Sequence, residues 1–319
     1  MDKFLDKTDF IFNTKVHQKI CVENIDGNSI LKESNNIMRD FENKLNFYKE
    51  DSEISKINKS AGKEFSKVSN DTFNIIKFSK FYSYMTKGLF DVTIAPLVKE
   101  WRINSLNPNI PSEEQIKEII KLVNYKDIIL DEVNLSVKLE KENQKIDLGG
   151  IAKGYIADKL IEFYKENSVK SAIVNLGGNI KVLGKKSKEE LWNVGIYYPQ
   201  KNSNSIICSL QLEDKSVVTS GGYERAFIYN NNLYHHILNP ITGKPAETDL
   251  KSITIISDSS LEGDALSTPL FIMGKYKASE FMKKYNITGV MMTKDDEIII
   301  TKDLIKKFNL MGNYKVLAF

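Results

Sequence analysis

Cysteine is scarce in this chain. Cys21 and Cys208 are the only two among 319 residues. No CxxC spacing accompanies either, so neither a zinc site nor a thioredoxin-like redox motif is coded. Long apolar runs are missing as well: none approaches the roughly 18 residues that a membrane helix needs, and no membrane span is expected. Charge of one sign is also lacking. The 45 basic residues are interleaved with 42 acidic ones for a net charge of +3, which leaves no continuous phosphate-tracking surface and excludes nucleic acid as an expected partner. The first twelve residues mix Asp, Lys and Phe and lack the basic start and apolar core of a secretory signal. As written, the chain is expected in the cytoplasm, with a cell-envelope location if a leader has been removed.

What is present is ordinary globular material, with 41% apolar and 27% charged residues, enough to bury a sizeable core without disulfides. The pattern predicts a strand over 10–22 and a helix over 30–48, with Ile30, Ile37, Met38, Phe41 and Leu45 on one face. Ser69 or Asn70 caps a second helix that Gly88 follows. Ser112 with Gln115 reads as a capping box opening a helix that runs to Val123. Strands are predicted at 127–130, 135–139 and 144–148, then a helix over 151–165, then strands at 171–176, 180–183, 192–197 and 206–212. The asparagines at 230–232 form a hairpin turn between 226–229 and 233–238. Strands at 253–257, 290–293 and 297–301 and helices at 261–272 and 276–285 close the chain. No linker interrupts it. The expected class is α+β, a helical part at about 28–125 and a strand-rich part at about 126–319 forming one compact catalytic unit.

Several short segments carry chemistry. Residues 145–154 read as a strand ending in Gly149 and Gly150 at the mouth of a helix, where unpaired N–H groups and the positive dipole end favour an anion. Lys153 in the first turn opposes the macrodipole by up to about 1 kcal/mol, a cost that a bound anion reverses. A plain strand-to-helix turn with a solvated lysine is the competing reading. Gly177 and Gly178 either let a ligand lie on the backbone or make a tight turn. Asp264 and Thr268 stand at i and i+4 on one helical face, a carboxylate and a hydroxyl suited to Mg²⁺, although an Asp there also serves as a helix cap. His235 and His236 are adjacent, so on a strand only one faces a given site, where it is suited to base chemistry near neutral pH. Residues 88–97, with Pro96, read as an extended loop.

Taken together and in order, SEISKIN (52–58), LFDVTIAPLVKEW (89–101), IDLGGIAKGYIAD (146–158), VNLGGNIKVLG (174–184), VTSGGYER (218–225), YHHILNPITGKP (234–245) and DALSTPLFIMG (264–274) resemble one family, the FAD:protein FMN transferases or ApbE family. The resemblance implies an ApbE-like mixed sheet with packed and inserted helices. It implies a Mg²⁺-dependent enzyme that takes FAD as donor and joins FMN through its phosphate to a Ser or Thr hydroxyl of a target protein, releasing AMP. By the same resemblance Thr93, Ile94, Ala95, Asp147 and Lys153 contact the flavin nucleotide and Tyr48 stacks near its rings. Asp264, Thr268 and the backbone carbonyl of Gly150 are then the Mg²⁺ ligands, and His236 is the base. The chain departs from the family at Phe12-Asn13-Thr14, where Met-Gly-Thr is common, and it holds no acceptor segment of its own, so self-modification is not expected. An FAD pyrophosphatase releasing FMN and AMP, or a flavin-binding carrier without turnover, is the alternative.

Overall fold

The computed structural model describes residues 3–319 apart from 24, 104, 201 and 202. The fold is α+β. Its contacts gather the chain into two compact units, Met1–Glu42 with Lys153–Gly221 and Asp249–Phe319 in one, and Asn43–Ala152 with Gly222–Thr248 in the other. No helix among the described residues is long and apolar enough to cross a membrane.

The first unit is built on a nine-stranded mixed sheet. Its order is Lys3–Ile11, Thr14–Val22, Ser171–Leu176, Asn179–Leu183, Ser216–Gly221, Leu250–Ser257, Thr288–Thr293, Glu297–Ile300 and Lys315–Ala318. Every neighbouring pair is antiparallel except the last, which is parallel. A three-stranded sheet, Phe308–Leu310, Ile206–Leu212 and Trp192–Tyr197, belongs to the same unit. Alternate residues of Trp192–Tyr197 (Trp192, Val194, Ile196) and of Ile206–Leu212 (Cys208, Leu210, Leu212) meet Val182, Val217, Ile256 and Met292 in one apolar cluster. That is the period of two expected of strands with one buried face. The helix Ser260–Tyr285 packs on the strands Ser216–Gly221 and Leu250–Ser257.

One sequence expectation changes in this unit. The strand expected over 10–22 is a hairpin that starts at Lys3 and reverses at Phe12 and Asn13, both at positive φ (56° and 54°). Asn tolerates that conformation and Phe rarely adopts it, so the turn was not legible. The two helices expected at 261–272 and 276–285 are both present within Ser260–Tyr285, parted at Gly274 (φ 73°, ψ 170°), a conformation open to glycine because it has no Cβ.

The second unit carries the helices Glu53–Lys59, Asn70–Met85, Ala95–Trp101 and Glu113–Ile119, with a small sheet in the order Ser66–Lys67, Ser136–Leu139, Ile128–Asp131. Ser69 caps its helix by accepting from the Thr72 N–H, and both bonds of the Ser112–Gln115 capping box form. That helix passes at Ile120 into a 3-10 turn, Ile120–Leu122, instead of continuing to Val123. Leu97, Trp101, Ile116 and Leu238 form a local core, and Trp101 Nε1 donates to the Gly243 carbonyl at 2.8 Å.

Two further expectations are corrected here. Residues 144–148 are extended but join no sheet. The place of a partner strand at Ile146 is taken by one side chain, because Asn58 Oδ1 accepts from the Ile146 N–H at 2.7 Å and its Nδ2 donates to the Ile146 carbonyl at 3.0 Å. The segment 88–97 is not an extended loop either. It makes a 3-10 turn, Val92–Ile94, and then opens the helix Ala95–Trp101 with Pro96 in its first turn, where a missing N–H leaves no helical bond unmade.

Candidate active site

In the first unit the chemistry gathers where two helices approach closely. An ideal Cβ on Gly154 would stand 2.3 Å from the Ser260 carbonyl oxygen and 2.7 Å from Leu261 Cα. Only glycine lets the start of the helix Ala152–Glu166 lie this near the start of Ser260–Tyr285. One turn further on, Asp158 caps that second helix. Its Oδ1 accepts from the Ser260 N–H at 2.8 Å, and its Oδ2 accepts from the Leu261 N–H at 3.0 Å and from Ser259 Oγ at 2.8 Å. The same carboxylate pairs with the buried Lys181 ammonium at 2.6 Å. A carboxylate at a helix N-terminus is favoured both by orphan N–H groups and by the dipole.

This geometry presents Asp264. Its Oδ2 accepts from the Gly154 N–H at 2.9 Å, and 7% of the residue is exposed. Burial pushes its pKa up, while the Lys153 ammonium, the Gly154 N–H and the Asn179 side chain draw it back toward ionisation. A carboxylate held in low dielectric by partial compensation is a cation-binding environment. Thr268 lies one turn along the helix and remains partly exposed, with Ser220 Oγ 3.3 Å from its Oγ1. The structure therefore brings Lys153, Asp264 and Thr268 into one cluster.

Among the described residues no group of three or more His, Cys, Asp or Glu is arranged to hold a metal. The donors present are hard oxygens and few. That set fits Mg²⁺, which keeps most of its coordination for water and phosphate oxygens, and suits Mn²⁺ by the same oxygen chemistry, while it fits poorly to the softer Cu or Zn.

In the second unit, Asp91 organises the 3-10 turn. It accepts from the Thr93 N–H at 2.8 Å, from Thr93 Oγ1 at 2.6 Å and from the Tyr125 N–H at 2.8 Å. The Thr93 hydroxyl also accepts from the Asn124 N–H at 2.8 Å. It is thus wholly engaged within the loop, Ala95 is buried beside it, and Ile94 is partly exposed. The Asp147 N–H donates to the Val92 carbonyl at 2.8 Å, which sets Asp147 beside this turn. Burial raises the Asp147 pKa, and the Gly149 N–H (2.9 Å) and the Arg225 charge lower it. Tyr48 is 76% exposed and lies within electrostatic reach of both Asp147 and Arg225. Gly150 faces the Phe90 ring edge, 3.4 Å from where a Cβ would stand.

The two histidines separate as the strand period requires. His235 is buried with Nε2 3.0 Å from the Ala246 carbonyl, and Gly222 has no room for a Cβ against its ring. His236 is partly exposed. Its N–H donates to the Arg225 carbonyl at 3.0 Å and its Nδ1 lies 3.2 Å from the same oxygen. A carbonyl only accepts, so Nδ1 carries the hydrogen and the basic lone pair is on Nε2. Arg225 thereby links Tyr48, Asp147 and His236. Arg225, Asp91, Asp158 and Lys181 all lie within the quoted motifs, and sequence reasoning gave none of them a role. The spacing of Asp158 four residues after Gly154 on one helical face was the signal available for it.

The sequence model of the ApbE family matches residues 12–292. The chain belongs to the ApbE family. A curated family relative, the FAD:protein FMN transferase of Klebsiella pneumoniae, is 35% identical over 283 residues, 88% of this chain and 88% of that protein. The FAD:protein FMN transferase of Treponema pallidum is 31% identical over 295 residues, 88% of this chain and 82% of that one. The crystal structure of the ApbE protein of Thermotoga maritima has a TM-score of 0.88 at 31% identity and covers 94% of this chain and 98% of its own. The mixed sheet with packed helices is thus the ApbE architecture. In ApbE terms, the glycine pair 177–178 is a two-residue hairpin turn, with both glycines at positive φ and Gly177 packed against Thr14.

Proposed function

We propose that this ApbE-family chain is a flavin transferase that moves FMN from FAD to a Ser or Thr hydroxyl of a target protein, forming a phosphoester and releasing AMP. The observation that carries the reading is the 35% identity, across 88% of both chains, to a protein named FAD:protein FMN transferase. The residues fit the chemistry. The target oxygen attacks the FMN phosphorus as the bond to the AMP oxygen breaks, and the hydroxyl proton passes to His236 Nε2, whose tautomer is set by the Arg225 carbonyl. The Asp264 carboxylate and the Thr268 hydroxyl would hold Mg²⁺, which when bound neutralises pyrophosphate charge. Lys153 places a positive charge at a helix N-terminus, where phosphate oxygens are favoured. Tyr48, Asp147 and the 93–95 turn position the flavin nucleotide. Gly150 completes the metal ligands through its carbonyl in this reading.

The test is to incubate the protein with FAD, Mg²⁺ and a peptide carrying a Ser/Thr-Gly-Ala-Ser/Thr acceptor segment and to weigh the peptide intact. A gain equal to FMN minus water, abolished by chelation, is expected. Free FMN and AMP with unmodified peptide would make the protein a pyrophosphatase, and intact FAD would make it a carrier.

A further inference from the structure

The second unit holds a groove of about 460 Å³ lined by Phe47, Tyr48, Lys59, Lys63, Lys99, Glu142 and Lys145 among others. Its four lysines come from four separate segments: the last turn of Glu53–Lys59, the loop after it, the helix Ala95–Trp101, and the extended stretch before Asp147. Among the described residues none of the four makes an ion pair. Lys59 Nζ donates to the Glu50 carbonyl at 3.2 Å, and burial together with the neighbouring Lys99 charge lowers the Lys145 pKa. Like charges gathered in one groove repel unless an anion stands among them. Among the described residues lining the groove, Glu142 is the one carboxylate.

The chemistry of the walls narrows the occupant. A single phosphate is usually taken by convergent donors, an arginine fork or a nest of backbone N–H groups. Here point charges share one groove with two aromatic rings, Phe47 and Tyr48, set edge to face at 5.0 Å. That pattern suits several carboxylates on an extended polypeptide that also carries an apolar residue. Tyr48 is also within electrostatic reach of Asp147 and Arg225, so one wall of the groove is shared with the residues assigned to the flavin nucleotide.

We propose that this lysine groove binds a carboxylate-rich stretch of the acceptor protein and so delivers its hydroxyl-bearing segment to the donor. The inference rests on the transferase reading.

The experiment is to titrate the full chain with fluorescein-labelled oligo-glutamate and follow anisotropy, alongside Lys63→Gln, Lys99→Gln, the double variant and Glu142→Gln. Binding that weakens with salt is expected, with a loss of about two- to fivefold for each lysine, the size of one exposed charge pair. Glu142→Gln should tighten binding by a similar factor, a change of sign that unfolding would not give. FAD affinity, read from flavin fluorescence, should be unchanged in all four variants. No binding, lysine variants that bind as the parent does, or displacement of the peptide by equimolar AMP or inorganic phosphate would overturn the proposal, the last by making the groove a phosphate site. Failure of the transferase reading is separate. It would leave peptide binding lysine-dependent while no acceptor gains mass, whereas failure of the groove leaves transfer intact and indifferent to Lys63 and Lys99.

Discussion

Replacing Gly154 by alanine sets two local effects against each other. Helix propensity alone favours alanine by about 1 kcal/mol. Sterics oppose it. The new methyl would stand 2.3 Å from the Ser260 oxygen and 2.7 Å from Ser260 C and Leu261 Cα, where ordinary contact begins near 3.4 Å. All three are backbone atoms, so no rotamer change relieves the overlap and the helices must part by about 1 Å, at an overpacking cost of about 1–3 kcal/mol. Parting them also stretches the Gly154 N–H bond to Asp264 (2.9 Å) and the Asp158 bonds to Ser260 and Leu261 (2.8 and 3.0 Å). Hydrogen bonds to a carboxylate contribute about 1.5–3 kcal/mol when intact. Sterics therefore win, by about 2–4 kcal/mol net. At about 2–4 °C per kcal/mol for a chain of this size, the thermal midpoint should fall by about 4–16 °C. Circular dichroism on heating and urea titration of parent and variant would measure it. A midpoint that rises, as propensity alone requires, would refute the close approach of these two helices.

Other substitutions follow from the same geometry. Asp158→Ala removes the cap of the C-terminal helix and leaves the buried Lys181 ammonium without its carboxylate, so stability should fall by about 3–5 kcal/mol in urea unfolding. Asn58→Ala strips both main-chain groups of the fully buried Ile146 of their partner, and the urea midpoint should drop by an amount equal to about 2–4 kcal/mol. Asp264→Ala should still fold cooperatively, with a midpoint lowered by loss of the Gly154 N–H bond, and should abolish Mg²⁺-dependent mass gain on an acceptor; normal transfer would remove Asp264 from the metal. His236→Ala should keep FAD affinity, measured by flavin fluorescence, while acceptor modification falls by about 10²–10⁴, the usual share of a general base.

Much of this was legible in the sequence because local rules acted alone. The capping box at Ser112, the Ser69 cap and the strands Ser171–Leu176, Trp192–Tyr197 and Ile206–Leu212 lie where periodicity and cap chemistry put them. The pairing of Asp264 with Thr268 on one helical face was readable from spacing, and so was the separation of the two histidines. What escaped was long-range substitution of one partner for another. Residues 144–148 have a strand's composition, yet Asn58, 88 positions earlier, supplies the ladder bonds at Ile146. Asp158 reads as one acid on a helix until Lys181 and the start of the distant helix arrive beside it. The hairpin at Phe12 and Asn13 depends on a φ that phenylalanine seldom takes. None of these is coded within a window of sequence.

The second strand has a consequence for how the chain is made. Thr14–Val22 pairs on its far side with Ser171–Leu176, Cys21 opposite Ser171, so about 150 residues separate the partners. At about 5–20 residues per second of synthesis, the emerging hairpin waits roughly 8–30 s for the strand that completes it. During that interval it is an open β-edge, the kind of surface that recruits strands from other nascent chains. Its buried face, Val16, Ile20 and Val22, is alternated with Lys15 and Lys19. Charges on such a face oppose pairing with other nascent chains until the sheet closes, and in the finished sheet Lys19 lies over the Phe4 ring at 5.1 Å.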